Sequence, residues 1–397
     1  MDNTVHNPDQ YMFDFRQIIT NGRKKIGLLI GAGAPVSINI GNENEYKPLI
    51  PNIEGLTKQV CEKLTGIEQQ AFISLQNQIH DSNIESILSR ARGLAEVIGN
   101  TEVNGIDGSG YKELAKSICA LIKEIVDVDL PTTDESNPYG ELISWITGIN
   151  RQEAVEIFTT NYDLLFEEAM ETSKTPYFDG FVGAKNAFFD PSSISKNDMP
   201  INWIRLWKLH GSIGWSGNNR GDVVRDFSAD GEIMVYPSHI KYDQTQAAPF
   251  TSFFDRLKNF LLEPDSLLIS NGFSFADAHI SSKLLECMTA NPSSAIIALQ
   301  YNELKKEEYA IALARKRSNM SVYCSDGAVI NGVKAPWKLG EEPAKNWARI
   351  RQEYWKGDAF NLGDFKSFTH FLAKSGGEKT YDLEVEGAAG EANETKE

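Results

Sequence analysis

Three hundred and ninety-seven residues exceed what one compact core ordinarily holds, so one main domain with an insertion or an appended module is expected. With 41% apolar and 24% charged residues the chain has the composition of a soluble globular protein, which excludes collagen-like, wholly disordered and membrane-embedded classes. A formal charge of −16 repels a phosphate backbone and argues against broad DNA binding by this chain alone.

No apolar run approaches the ~18–20 residues that a bilayer span needs, and the opening MDNTVHNPDQ lacks a secretory pattern, so a cytoplasmic location is expected. Cys61, Cys119, Cys287 and Cys324 lie far apart without a C-x-x-C pair. That spacing argues against a zinc ribbon or a redox motif, so idle thiols and no metal are expected.

Taken in order, residues 1–22 read as a polar leader. Lys25–Ile30 reads as a buried strand running into Gly31-Ala32-Gly33. Residues 52–150 read as a helical insertion: Ser82-x-x-Glu85 looks like a capping box, and behind it Ile84, Ile87, Leu88, Ala91, Leu94 and Ile98 recur at helical spacing. Leu114, Ile118, Leu121, Ile122 and Ile125 repeat the pattern. Strands return at 154–159, 204–209, 233–236, 266–270, 294–299 and 321–324, with helices at 164–170, 278–289 and 304–315 between several of them. That alternation predicts an α/β fold with a parallel, doubly wound sheet. Beyond 330, residues 345–355 and 364–373 read as amphipathic helices in a short C-terminal helical extension over 331–375. Their aromatic residues serve either as packing onto the sheet or as a partner surface. Residues 376–397, rich in Gly, Glu, Ala and Lys, read as a disordered acidic tail.

Four strand ends carry polar residues, and open α/β sheets bind ligands at the carboxyl edge. Gly31-Ala32-Gly33 after a buried strand allows close approach to a phosphate, or is simply a tight turn. Val36 stands where the dinucleotide fingerprint needs its third glycine, which disfavours a dehydrogenase. In TTNYD, Asn161 suits the positioning of a water or sugar hydroxyl, while Asp163 either caps the next helix or serves the site. In KLHGS, His210 lies at a strand end; His6, His80, His239, His279 and His370 read as ordinary histidines. In SNGFSFAD, Gly272 and Ser274 suit a phosphate or ribose contact, and Asp277 reads as a helix N-cap.

Taken in sequence, GAG, TTNYD, LHG and G-x-S resemble the sirtuin-like NAD-binding domain over roughly residues 23–326. Their form is similar to that in bacterial anti-phage defence proteins, including the sirtuin-like partner of a HerA-type ATPase. The resemblance implies a Rossmann-like parallel sheet of the sirtuin type over 23–330. It implies that Gly31, Ala32 and Gly33 hold the NAD pyrophosphate, that Asn161 and Asp163 line the nicotinamide-ribose pocket, and that His210 is catalytic. Gly272 and Ser274 match later phosphate and ribose contacts, and Asn302 an adenosine-ribose contact. Protein-deacylating sirtuins carry a four-cysteine zinc module that this chain cannot build, and the chain has Pro35 where they have a Ser.

The activity so implied is hydrolysis of NAD+ to nicotinamide and ADP-ribose, with NAD+ as substrate and no metal. Such depletion would act in abortive infection, gated by homo-oligomer assembly and by a HerA-like hexameric ATPase. His210, with an unperturbed pKa of roughly 6.5, is expected mostly neutral and able to act as a base, while Asn161 orients the water. Two other classes remain open: a non-catalytic NAD or ADP-ribose sensor, and a zinc-free protein deacylase or ADP-ribosyltransferase.

Overall fold

The computed structural model describes residues 4–42, 45–80, 82–131, 137–196, 198–217, 222–227, 233–235 and 248–376. The acidic tail from 377 onward and His239 lie outside them. The fold is built on a nine-stranded sheet. We number its strands β1 (Lys25–Ile30), β2 (Glu156–Thr159), β3 (Tyr177–Phe178), β4 (Ile204–Lys208), β5 (Ser266–Asn271), β6 (Ala295–Leu299), β7 (Met320–Tyr323), β8 (Gly327–Ile330) and β9 (Val333–Pro336). Their spatial order is β9-β8-β7-β6-β5-β1-β2-β4-β3. All neighbours from β7 to β3 pair in parallel, and β8 and β9 add an antiparallel edge.

Strands β2, β4 and β5 are buried along their whole length, and β1 from Ile26 onward. This is what their unbroken apolar runs require when helices cover both faces. The chain leaves β1 towards β2 and β4 on one side and later builds β5, β6 and β7 on the other. The strand order therefore reverses beside β1, and the crevice at the carboxyl ends of β1 and β5 is where such sheets bind ligands.

Between β1 and β2 lie the expected helices: Ile53–Lys63, Gly66–Gln78, Ile84–Val97, Gly108–Val126 and Pro138–Gly148. The periodic residues Ile84, Ile87, Leu88 and Ala91 are all buried, as are Leu114, Ile118 and Ile122. The proposed capping box is not formed. Asn83, not Ser82, caps the helix by accepting the Ser86 N–H at 3.0 Å. Asparagine is at least as good a cap as serine, and its position one residue later releases Glu85 to point elsewhere.

The segment read as a polar leader contains a helix, Pro8–Thr20, capped by Asn7. Met12, Phe15 and Ile19 form its buried face, and Asp9 pairs with Arg351 (2.9 Å) and the Tyr354 hydroxyl (2.5 Å) of the C-terminal segment. That segment is less helical than expected. Only Trp347–Arg351 and Phe365–Ser375 are helical, whereas β8 and β9 form a hairpin that widens the sheet. The hairpin turns through Asn331 and Gly332, both at positive φ (51° and 77°), the conformation that Asn-Gly adopts at a two-residue turn. Trp347, Tyr354, Phe365, Phe368 and Phe371 are buried in the core shared with the helical insertion. Their aromatic surface is interior packing.

A second, five-stranded antiparallel sheet holds Phe181–Val182, Phe188–Phe189, Gly211–Gly217, Val223–Arg225 and Ile233–Val235. The strand read at 233–236 thus belongs to this sheet and not to the parallel one. None of the helices among the described residues is long and apolar enough to cross a membrane.

Candidate active site

The four polar strand ends converge. Ala32, Gly33, Asn161, Asp163, His210, Gly272, Ser274 and Asn302 all line one cleft of about 1630 Å³. It is roomier than the ~300–1,000 Å³ of ordinary small-molecule pockets. Its floor is the carboxyl edge of the sheet, and its far wall comes from the helical insertion, including Asn52, Lys58 and Glu85, with Tyr46 from the loop before it.

The glycine loop and the turn after β5 form one seam. The Gly31 N–H donates to Asn271 O at 3.1 Å, and the Gly33 N–H donates to Gly272 O at 2.9 Å. A Cβ on Gly31 would lie 2.3 Å from Gly272 O, and one on Gly33 would lie 2.6 Å from Gly272 Cα. Gly272 itself sits at φ 66°. Glycine is therefore needed here for backbone to pack on backbone, independently of any phosphate. Gly31 lies behind the cleft wall rather than on it, and the N–H groups of Gly31 and Gly33 are already committed.

Asn161 ties a third strand end into this seam, its Nδ2 donating to Gly31 O at 3.2 Å. Its backbone N–H donates to Thr159 Oγ1 at 3.1 Å. Asp163 is buried and accepts the Leu165 N–H at 3.2 Å, so it holds the start of helix Leu165–Thr172 while also reaching the cleft. Burial pushes its carboxyl upward, against the pull of nearby Lys208. Ser274 Oγ accepts the Ala276 N–H at 3.4 Å, and Asn302 Nδ2 donates to Glu307 at 2.8 Å.

His210 has a setting that its local sequence does not announce. It is buried, with Nε2 2.9 Å from Asp277 Oδ2 and Nδ1 3.4 Å from Glu85 Oε1. Asp277 caps helix Ala278–Ala290 as expected, its Oδ1 accepting the His279 and Ile280 N–H groups at 2.8 and 3.0 Å. Its second oxygen is what reaches the histidine. Glu85 also accepts from the Tyr162 hydroxyl.

These contacts overturn the expectation of a mostly neutral His210. Burial is the largest single influence and opposes the charge, but Glu85 and Asp277 together outweigh it and push the imidazole up to about 10. Asp277 answers in kind: burial works against its charge, yet His210 and the capping N–H groups hold its carboxyl below the usual range. These neighbours favour the imidazolium form of His210, placed between two carboxylates.

Glu85 and Tyr162 are the site residues that sequence reasoning missed. Glu85 sits in a helical segment far from the other motifs, where an acidic residue in a first turn has an ordinary explanation. Tyr162 lies inside TTNYD, but nothing in the sequence pairs it with Glu85.

Residues 155–321 match the SIR2-like domain family, less than half of the chain. The match takes in β2 to β6, Asn161, His210, Gly272, Ser274 and Asn302; β1 with its glycine loop and the helical insertion lie before it. No curated protein matches. Among solved structures, one described as "Structural Basis for the Mechanism and Regulation of Sir2 Enzymes" is similar at 13% identity and a TM-score of 0.35. The alignment covers 78% of this chain and 90% of that one.

Proposed function

We propose that the protein is an NAD+ hydrolase that cleaves the bond between nicotinamide and ribose, releasing nicotinamide and ADP-ribose. The observation that carries this reading is the convergence of the glycine loop, Asn161, His210 and the Gly272–Ser274 turn on one cleft at the strand-order reversal. The SIR2-like match over the segment that supplies three of those four elements supports it.

In this reading the diphosphate lies over Ala32 and Gly33, beside Gly272 and Ser274, and Asn302 meets the adenosine ribose. Asp163 and Asn161 face the nicotinamide ribose. The C–N bond breaks with its electron pair passing to the nicotinamide ring, which neutralises the pyridinium and leaves an oxocarbenium-like ribose. Water adds to the anomeric carbon, oriented by Asn161. His210 takes the proton from a ribose hydroxyl or from the water. A charged His210 must give up a proton before it can accept one, and exchange of one of its carboxylate contacts would favour that loss. Such a requirement suits an enzyme held inactive until assembled.

The biological role follows from the resemblance of the motifs: NAD+ depletion in anti-phage defence, with homo-oligomer assembly and a HerA-type ATPase as gate. The experiment is direct. The purified chain is incubated with NAD+, with and without such an ATPase, and nicotinamide and ADP-ribose are separated by chromatography. Loss of turnover in both His210→Ala and Asn161→Ala supports the hydrolase. NAD+ that binds tightly yet stays intact in every combination, protein acceptors included, replaces it with a sensor; label transferred to a protein acceptor replaces it with a transferase or deacylase.

A further inference from the structure

His210 meets a carboxylate at each ring nitrogen, Asp277 Oδ2 at 2.9 Å from Nε2 and Glu85 Oε1 at 3.4 Å from Nδ1. An imidazolium so bracketed lies between two anions and offers no lone pair to a hydroxyl. For His210 to take a proton it must first lose one, and a carboxylate has to give way to the donor.

The two are not equally free to move. Asp277 is anchored at its other oxygen by the His279 and Ile280 N–H groups, so displacing it would also uncap helix Ala278–Ala290. Glu85 makes the longer contact and already shares its oxygen with the Tyr162 hydroxyl, which can retain the carboxylate after it leaves the ring. Glu85 also stands on a different body of the fold, the first turn of helix Ile84–Val97 in the helical insertion, whereas His210 and Asp277 follow strands β4 and β5. Both carboxylates line the cleft and are therefore within reach of a ligand.

We propose that Glu85 is a specificity-determining residue that yields its place at His210 Nδ1 to a ribose hydroxyl of NAD+, while Asp277 stays on Nε2 throughout. The proposal rests on the reading of His210 as the proton acceptor. As Glu85 leaves it takes the Nδ1 proton with it as a carboxylic acid; the hydroxyl proton then passes to the vacated Nδ1, and Asp277 holds the imidazolium that results, as the orienting carboxylate of a catalytic triad does. Glu85, displaced, remains on Tyr162. Substrate lacking that hydroxyl cannot complete the exchange. Any partner that pulls the first turn of Ile84–Val97 outward would favour it.

Glu85→Gln keeps the side-chain shape and the Tyr162 contact, and Asp277→Asn keeps a competent helix cap. Both are made in the full chain and checked for an unchanged melting temperature. The first measurement is NMR titration of the His210 ring nitrogens in ligand-free protein. Among the described residues the charged groups facing His210 include Glu85 from the insertion and Asp277 from the turn after β5, with the Tyr162 hydroxyl behind Glu85, so Glu85→Gln should lower the midpoint by about one pH unit or more. The second is NAD+ cleavage from pH 6 to 10. Glu85→Gln should move the rising limb of kcat/KM towards acid and lower KM at pH 7 about threefold or more, whereas Asp277→Asn should lower kcat about 100-fold or more without that fall in KM.

A folded Glu85→Gln protein with an unmoved His210 midpoint, or with a raised KM, overturns the proposal, because Glu85 would then bind the substrate rather than yield to it. If all forms leave NAD+ intact, hydrolysis as proposed above fails. The exchange is then judged by NAD+ addition alone: a His210 Nδ1 signal moving to an acceptor position sustains it, and unchanged ring signals overturn it.

Discussion

Replacing Gly31 with alanine adds one carbon at the seam where the glycine loop meets the turn after β5. The new Cβ would lie 2.3 Å from Gly272 O, 2.7 Å from Phe273 Cα and 2.8 Å from Gly272 C. Carbon contacts are comfortable at about 3.5–4.0 Å, so the two loops must part by roughly 1 Å. All three obstacles are backbone, and no rotamer change relieves them. Parting also strains the Gly31 N–H bond to Asn271 and the Asn161 bond to Gly31 O. Overpacking of this kind costs about 1–3 kcal/mol. A misplacement near 1 Å at reacting groups costs on the order of 10² in rate. Urea unfolding monitored by circular dichroism gives the first quantity, and NAD+ turnover or affinity gives the second. Gly93→Ala is the internal control. It lies within helix Ile84–Val97, and beyond that helix's own backbone nothing approaches its added carbon within 4 Å, so it should stabilise by about 0.5–1 kcal/mol. A Gly31→Ala protein as stable as its parent, with unaltered handling of NAD+, would show that the seam is loose and refute the reasoning.

Other expectations follow from contacts already described. His210→Ala and Asn161→Ala should each lower NAD+ cleavage by about 10²–10⁴ in a folded protein, read by nicotinamide release; turnover within threefold of the parent would remove them from the chemistry. Because the folded state pushes His210 up to about 10 from its unfolded value of roughly 6.5, its stabilisation is complete below the lower value and is lost as pH rises through the upper one. Urea midpoints measured from pH 6 to 10 should therefore fall more steeply for the parent than for His210→Gln, and parallel slopes would contradict the charged histidine. Glu156 is buried between Arg256 Nε (2.7 Å) and Trp207 Nε1 (2.8 Å), so Glu156→Gln leaves the buried guanidinium only the 3.4 Å contact with half-exposed Glu263 as a charged partner and should destabilise by roughly 3 kcal/mol in the same assay. Asn83→Ala removes the cap that frees Glu85 and should cost about 1 kcal/mol; no loss would mean that the helix start is held by other contacts.

The amino-acid sequence by itself determined the class of fold and the location of the cleft, because both depend on local periodicity. Unbroken apolar runs of strand length alternating with helical patterns admit few arrangements besides a parallel sheet covered on both faces. Polar residues at the ends of such strands must then meet at one edge, and Asn161, His210 and Ser274 do. The Asn331-Gly332 hairpin was equally local and equally legible, but it falls in a segment whose aromatic spacing also suits helices.

What only the tertiary structure decided is the chemical state of the site. Glu85 belongs to a helix whose own sequence explains it as an ordinary first-turn acid, and Asp277 is fully accounted for as a cap. Only packing of the helical insertion over the carboxyl edge brings Glu85 to one side of His210 while the turn after β5 brings Asp277 to the other. Charge state is set by the summed field of neighbours distant in sequence, and strand and helix periodicity carry no trace of it. For the same reason the glycines of the loop proved to serve backbone packing at a seam, a role that depends on Gly272 lying beside them at the end of the neighbouring strand.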